Sequence, residues 1–167
     1  MTSIGASAFS GCSALTSITI PFVGASRTAT GTNALFGYIF GISSYTGGTS
    51  TQQYYSSSDY TYYYIPTALR TVIITGATKL EYGAFYGCGG LTSIAIPNTV
   101  TGIGEWAFYG CGLTKVYYGG ANAAAWNGII MGNNNAPLTG ATRYYYSATS
   151  ILDGQHWHYV NGVPTVW

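Results

Sequence analysis

The sequence predicts a repeat solenoid, in which short parallel β-strands are joined by turns and 3-10 segments. Two recurring patterns lead to this prediction. Ala-Phe-x-Gly-Cys occurs at 8–12, 84–88 and 107–111, and the segments that follow it repeat as "LTSITI", "LTSIAI" and "LTKVYY". Successive copies are 22 or 23 residues apart, as Leu91 and Leu113 or Phe85 and Phe108 show. A coil of this length cannot bury its own apolar face, so neighbouring coils must stack to form a core.

The apolar spacing within each copy predicts where the strands lie. In "LTSIAI", Ile94 and Ile96 share one face of a strand by the two-residue period, and Leu91 precedes a bend. A fourth copy, "LRTVII" at 69–74, has no cysteine before it. The period and the Leu-x-x-Ile/Val-x-Ile spacing lie in the leucine-rich-repeat range, so we expect a leucine-rich-repeat right-handed superhelix.

The cysteines occupy one repeated position, and a phenylalanine stands three residues before each of them. A small apolar side chain suits a buried ladder, which makes core filling the favoured role for all three thiols. A nucleophile would need a positioned histidine, and zinc would need closer cysteine spacing. We therefore predict free buried thiols, with Cys88–Cys111 as the one disulfide to check, and no metal or cofactor. The structural ladder comprises Cys12, Cys88, Cys111, Phe9, Phe85 and Phe108.

Composition excludes several classes of partner. Only 5% of the 167 residues are charged and the net charge is +1, which disfavours nucleic acid and polybasic membrane binding. No apolar run is long enough for membrane insertion. Few charges with abundant Ser, Thr, Gly and Tyr are typical of extracellular proteins. We expect any signal peptide to lie outside this sequence and Met1 to mark a truncation.

A tyrosine-rich insertion interrupts the repeats. Leu15 and Leu69 are 54 residues apart, which predicts two coils and about ten extra residues, with the excess in 43–64. Phe36 is expected at the phenylalanine position and Ile39 at the cysteine position. Because paratopes favour Tyr and Ser, the candidate binding residues are Tyr54, Tyr55, Tyr60, Tyr62 and Tyr63. Alternatively the rings pack onto the solenoid; both hold if Tyr60 and Tyr62 face outwards while Tyr63 packs.

The C-terminal part departs from the repeat. We expect a solenoid over 1–146, with a degenerate last coil at 119–146, and a capping hairpin at 147–167. Asn161-Gly162 predicts a type I′ turn that pairs Val160 with Val163. The face that carries Trp157, Tyr159 and Val166 should pack on the last coil. His156 and His158 would then be exposed on the other face.

One segment of the sequence resembles a known family. "IPNTVTGIGEWAFYGCGLTKVYY" at 96–118 resembles the BspA-like leucine-rich repeat of surface proteins from gut and oral anaerobes and some protozoa. The likeness covers about 2–21 and 65–118, and the tail suggests a C-terminal fragment. The resemblance implies a bacterial cell-surface or secreted module for adhesion or protein binding, without catalysis. Its partner would be an unidentified extracellular or host-surface protein.

The sequence leaves three alternative functions open. A carbohydrate-binding module could use exposed rings at Tyr117, Tyr118 and Trp126. A spacer would bind nothing. An enzyme would need two acids or a Cys–His pair in one cleft, and the four acidic residues are scattered over the chain. Finally, the first coil would expose unpaired strand edges, so we expect a possible dimer through an uncapped N-terminal end.

Overall fold

The computed structural model describes residues 1–167, which form stacked coils on a common parallel sheet. The strands in chain order are β1 (Ser17–Ile20), β2 (Gly48–Tyr54), β3 (Tyr60–Pro66), β4 (Thr71–Ile74), β5 (Lys79–Leu80), β6 (Ser93–Ile96), β7 (Gly102–Ile103), β8 (Lys115–Tyr118), β9 (Ile130–Met131), β10 (Thr142–Tyr146), β11 (His156–Val160) and β12 (Val163–Val166). Two 3-10 turns, Gly31–Ala34 and Phe36–Ile39, and two short helices, α1 (Ala123–Asn127) and α2 (Ala136–Gly140), complete the fold. No helix is long and apolar enough to cross a membrane.

The main sheet confirms the repeat spacing. Its order is β1-β4-β6-β8-β10-β11-β12, and every pair is parallel except β11 with β12. Val72, Ile94 and Val116 are aligned in register and fully buried. Their ladder follows from the two-residue period, which sends alternate side chains of each strand into the core.

A second ladder joins the turns that precede the strands. The rings of Phe85 and Phe108 stack with centroids 5.2 Å apart, and Phe36 lies 4.8 Å from Phe85 on the other side. Backbone hydrogen bonds tie the same turns together, as the Phe85 N–H donates to the Ala107 carbonyl at 2.7 Å. Phe36, Phe85 and Phe108 therefore hold equivalent positions in successive turns, as the sequence predicted.

The insertion is longer than the sequence suggested. β1 pairs directly with β4, so one coil separates Leu15 from Leu69, and the estimate of two coils is wrong. The extra residues form a separate antiparallel hairpin of β2 and β3. This hairpin buries Tyr63 and Ile65 against the core, so it is stabilised without contributing a strand to the main sheet.

Buried amide side chains form hydrogen bonds with the turns where the backbone of a neighbouring repeat is missing. Gln53 of β2 is fully buried; its Oε1 accepts the Gly37 N–H at 2.7 Å, and its Nε2 donates to the Tyr86 carbonyl at 3.1 Å. The Gln53 Nε2 also lies 3.6 Å from the Cys88 sulfur. Ile39 is fully buried in the core and its carbonyl accepts the Phe9 N–H at 2.8 Å, while its assignment to the cysteine position stays a prediction.

Asn135 forms the corresponding hydrogen bonds beyond the last Phe-containing turn. Its Oδ1 accepts the Phe108 N–H at 2.9 Å, and its Nδ2 donates to the Gly104 and Gly132 carbonyls, each at 2.9 Å. A buried polar group is tolerated only when it is hydrogen-bonded. Gln53 and Asn135 thus satisfy turn backbone that would otherwise be buried without partners.

The C-terminal hairpin has the expected register but a different environment. Val160 pairs with Val163, and Asn161 and Gly162 have φ of 51° and 79°, as a type I′ turn requires. However, Trp157 is buried against Ile73, Ala95 and Tyr117, on the sheet face opposite the main core. Its indole N–H donates to the Tyr118 carbonyl at 2.8 Å. The expected packing on the last coil is present, since the Trp157 and Tyr146 rings meet with centroids 5.4 Å apart, but the cluster around Trp157 also includes residues of earlier strands.

Tyr159 and Val166 contribute less to this packing than Trp157. Tyr159 is exposed and meets the Trp157 ring edge-on at 4.9 Å, while Val166 is half-buried beside it. His156 and His158 are each half-buried rather than exposed. Their burial follows from specific partners, since His156 bonds Asp153 and His158 stacks on Trp167 with ring centroids 3.5 Å apart.

Replacing Gln53 by Met should destabilise the protein by about 2–4 kcal/mol, because the Gly37 N–H and at least one carbonyl would be left buried without partners. The free energy of unfolding from urea titrations measures the effect. Gln52→Met is the matched control, since the Gln52 side chain donates only to the Tyr54 hydroxyl at 3.4 Å. Equal losses in the two variants would contradict the role assigned to Gln53.

Candidate functional site

Six aromatic side chains form a continuous strip across the hairpin and two neighbouring turns. The aromatic strip comprises Tyr62, Tyr60, Tyr54, Tyr86, Trp106 and Tyr109. Successive ring centroids lie 5.7, 5.2, 4.8, 6.1 and 4.6 Å apart. Tyr60, Tyr62 and Tyr109 are 47%, 49% and 44% exposed. Large aromatic side chains that remain exposed in contact with one another are typical of interaction surfaces.

The sequence places these rings together by two separate rules. Tyr54 and Tyr60 face each other across the hairpin, and Tyr62 follows on the same face by the two-residue period. Tyr86 and Tyr109 hold the variable position of Ala-Phe-x-Gly-Cys, so the repeat stacks them at 5.2 Å. The strip is therefore partly hairpin and partly solenoid.

A glycine allows the two parts to meet. A Cβ on Gly83 would lie 1.8 Å from the Tyr54 carbonyl oxygen, and the φ of Gly83 is +61°. Only glycine fits both the left-handed backbone and the close approach of β2. Gly83 thereby sets the distance at which the Tyr54 ring reaches the Tyr86 ring.

The expected binding residues divide between the strip and the core. Tyr54, Tyr60 and Tyr62 belong to the strip. Tyr63 is buried; its hydroxyl donates to the Thr32 carbonyl at 3.2 Å, and burial raises the pKa of Tyr63 to about 12. Tyr55 is half-buried against the core. Neither Tyr63 nor Tyr55 lies on the strip.

Tyr86, Trp106 and Tyr109 are not among the binding residues predicted from the sequence. The repeat nevertheless contained the necessary pattern, because Tyr86 and Tyr109 are 23 residues apart at equivalent positions. Residues at equivalent positions of stacked coils lie side by side. An aromatic residue at a variable, outward-facing repeat position therefore predicts a surface ladder.

Trp106 has an unfavourable backbone conformation. Its φ is +59°, and the residues at the equivalent turn position, Ser7, Gly83 and Asn134, have φ of 59°, 61° and 64°. This left-handed region suits Gly and Asn but costs a bulky residue on the order of 1–2 kcal/mol. The chain thus keeps a large ring at a position where smaller residues are intrinsically favoured.

A small cavity opens within the strip. It has a volume of about 220 Å³ and is lined by Tyr54, Ser57, Tyr82, Tyr86 and Trp106. Burial raises the pKa of Tyr82, and the neighbouring Glu105 carboxylate and the Tyr54 hydroxyl raise it further. The cavity therefore combines aromatic walls with a nearby negative charge.

The rings expected for sugar binding are inaccessible. Tyr117, Tyr118 and Trp126 are only 8%, 3% and 5% exposed. Tyr117 is covered by Tyr144 and by Trp157 from the folded-back hairpin. The Arg143 guanidinium lies 4.1 Å from the centroid of the Trp126 ring. No face of these three rings is open to a sugar, so the expectation that they are exposed is wrong.

The ladder cysteines differ in burial. All three are free; Cys88 is buried, Cys111 is half-buried with its thiol donating to the Phe85 carbonyl at 3.2 Å, and Cys12 is exposed. Burial raises the pKa of Cys88, and it raises the pKa of Cys111 to about 12. The prediction of a buried thiol is wrong for Cys12, because only one neighbouring coil packs against its turn. Phe9 of the same turn is half-buried for the same reason.

The stacked coils with one parallel strand each define the class as a leucine-rich-repeat solenoid. The sequence model of the BspA-type leucine-rich repeat region, which has six copies, matches residues 1–58 and 55–123. The chain therefore belongs to the BspA-type leucine-rich-repeat family. No curated protein and no solved structure matches the chain.

The strain at Trp106 predicts that glycine is more stable than alanine at this position. Trp106→Gly should be more stable than Trp106→Ala by about 1 kcal/mol, since both lose the ring but only Ala keeps a Cβ in the left-handed region. Urea unfolding of the two variants measures the difference. A Trp106→Ala variant as stable as Trp106→Gly would show that this position carries no such strain.

Proposed function

We propose that this chain is a non-enzymatic binding module, displayed at a cell surface or secreted, which recognises a protein partner through the aromatic strip. The observation that carries the proposal is Trp106, whose half-buried ring is retained at a cost in backbone strain. Strained residues cluster at functional sites, where a stability cost is offset by a gain in function. A pure spacer would gain nothing from this arrangement.

The geometry of the strip favours protein over sugar. Its rings contact one another, and Tyr86 and Tyr109 stack with only 29° between their planes. Stacking covers the facing sides of these two rings, and the angles of 84°, 51° and 54° along Tyr62, Tyr60, Tyr54 and Tyr86 prevent a flat platform. A sugar stacks best on a flat open ring, whereas protein surfaces are matched well by closely packed tyrosines at varied angles. The carbohydrate alternative therefore has less support than protein binding.

Two features support a role without catalysis. The raised pKa values of Cys88 and Cys111 keep both thiols protonated, which is the opposite of nucleophile activation. The one close His–acid pair, His156 Nδ1 with Asp153 Oδ2 at 2.8 Å, lies in the tail. Hydrolysis would need these groups to converge in one cleft.

Family membership supports the proposed location, because BspA-type proteins are typically associated with the cell surface. Several architectural expectations stay predictions alongside it. These are the right-handed winding of the coils, the division into 1–146 and 147–167, the capping role of the tail, and the dimer through the N-terminal end. β1 lies at the edge of the main sheet, which gives the dimer a strand to pair through.

The proposal is tested by screening the protein against immobilised extracellular-matrix proteins. Any partner found should bind the Tyr60→Ser/Tyr62→Ser variant at least tenfold more weakly, because central interface tyrosines commonly contribute more than about 1 kcal/mol each. Tyr159→Ser is the matched control, since Tyr159 is 42% exposed but lies on the C-terminal hairpin. Binding that survives in the double variant, or no binding to any matrix protein, would contradict the proposal.

A further inference from the structure

We propose that the cavity within the aromatic strip receives an arginine side chain of the partner protein. The inference rests on the proposed function, since the partner must approach the strip. It adds the identity of the chemical group that the partner places in the cavity. Three features lead to it: the aromatic walls of the cavity, a carboxylate beside the lining residue Tyr82, and the absence of a lysine or arginine from the lining.

The walls suit a cation. Three tyrosine rings and the Trp106 indole surround about 220 Å³, with Ser57 completing the lining. The faces of aromatic rings carry negative electrostatic potential, and Trp is the strongest cation–π partner among the side chains. The Tyr54 and Tyr86 ring centroids are 4.8 Å apart with 54° between the planes. These tilted rings form a concave wall rather than a flat platform.

The surrounding charges are negative. Glu105 holds the position equivalent to Tyr82 in the next coil, where its carbonyl accepts the Gly83 N–H at 3.1 Å, and its carboxylate raises the pKa of the Tyr82 hydroxyl. Asp59, in the same turn as Ser57, accepts from the Ser56 hydroxyl at 2.7 Å. Asn133 donates to Glu105 Oε1 at 3.1 Å, which leaves Oε2 for a ligand. A cation in the cavity would therefore lie among aromatic rings and near a carboxylate.

The chain supplies no cation to this cavity. Lys79, the basic residue closest in sequence, pairs with Glu81 at 3.0 Å. The other four basic residues lie elsewhere: Arg27 contacts Phe22, Arg70 donates to the Thr67 and Leu69 carbonyls, Lys115 is on the main sheet, and Arg143 covers Trp126. The negative potential is thus available to an external group.

Arginine fits better than a quaternary ammonium. The guanidinium is planar, stacks on aromatic rings and donates several hydrogen bonds to a carboxylate. A quaternary ammonium would use the rings but could not donate to Glu105. The same pairing of guanidinium and indole occurs within the chain at Arg143 and Trp126.

The test uses N-acetyl-arginine amide as the probe and follows the Trp106 indole N–H by ¹H–¹⁵N NMR. Trp106→Asn identifies the Trp106 signal. We expect saturable shifts at millimolar concentration, with affinity at least fivefold higher than for the neutral isostere N-acetyl-citrulline amide. Glu105→Gln should weaken arginine binding roughly two- to fivefold, the range expected for loss of one exposed ion pair. Asp153→Asn, which removes a distant acid, should leave the affinity unchanged.

Several results would overturn the inference. These are an unmoved Trp106 signal, equal affinity for the citrulline derivative, no effect of Glu105→Gln, or tighter binding of tetramethylammonium than of arginine. The outcome is separable from the matrix-protein screen. A partner that depends on Tyr60 and Tyr62 while the arginine probe fails would leave the proposed function standing and reject the arginine site.

Discussion

The structure depends on satisfying the backbone of the turns that precede each strand. Within the repeats, this is done by the next coil, as the Phe85 N–H donates to the Ala107 carbonyl. Where the repeat is interrupted, Gln53 takes over, and Asn135 does so after the last Phe-containing turn. Leaving such buried groups unpaired would cost about 1–3 kcal/mol each. The insertion is tolerated because it carries the side chain that replaces the missing backbone.

This constraint also determines the surface. Because Gln53 fixes β2 against the turn at 83–87, its neighbour Tyr54 is brought to 4.8 Å from Tyr86. The repeat then extends the row of rings to Tyr109, because Tyr86 and Tyr109 hold equivalent positions in stacked coils. Trp106 is the exception, because it replaces a residue suited to positive φ by a large ring. An internal packing requirement and an external aromatic strip are therefore consequences of the same docked hairpin.

The sequence predicted the parts of the fold that follow from periodicity. The strand ladder of Val72, Ile94 and Val116 and the stack of Phe85 on Phe108 need only a repeat length and an apolar pattern. The length of the insertion was misjudged because residue number alone does not distinguish another coil from a hairpin. Only part of the Trp157 environment was predicted, because Ile73, Ala95 and Tyr117 of its cluster lie 40 or more residues away in sequence, where no local pattern applies. Half of the strip was predicted from tyrosine content; the rest needed the repeat register to be applied to outward positions.

The most direct test of this account is native-state hydrogen exchange at two amides. The Gly37 N–H, which Gln53 accepts, and the Phe108 N–H, which Asn135 accepts, should be protected as strongly as the N–H groups of the central strands β4 and β6. Such protection would show that the side-chain amides close the ladder of turns. Exchange of either amide as fast as that of the exposed turn at 56–59 would contradict the central role of these side chains.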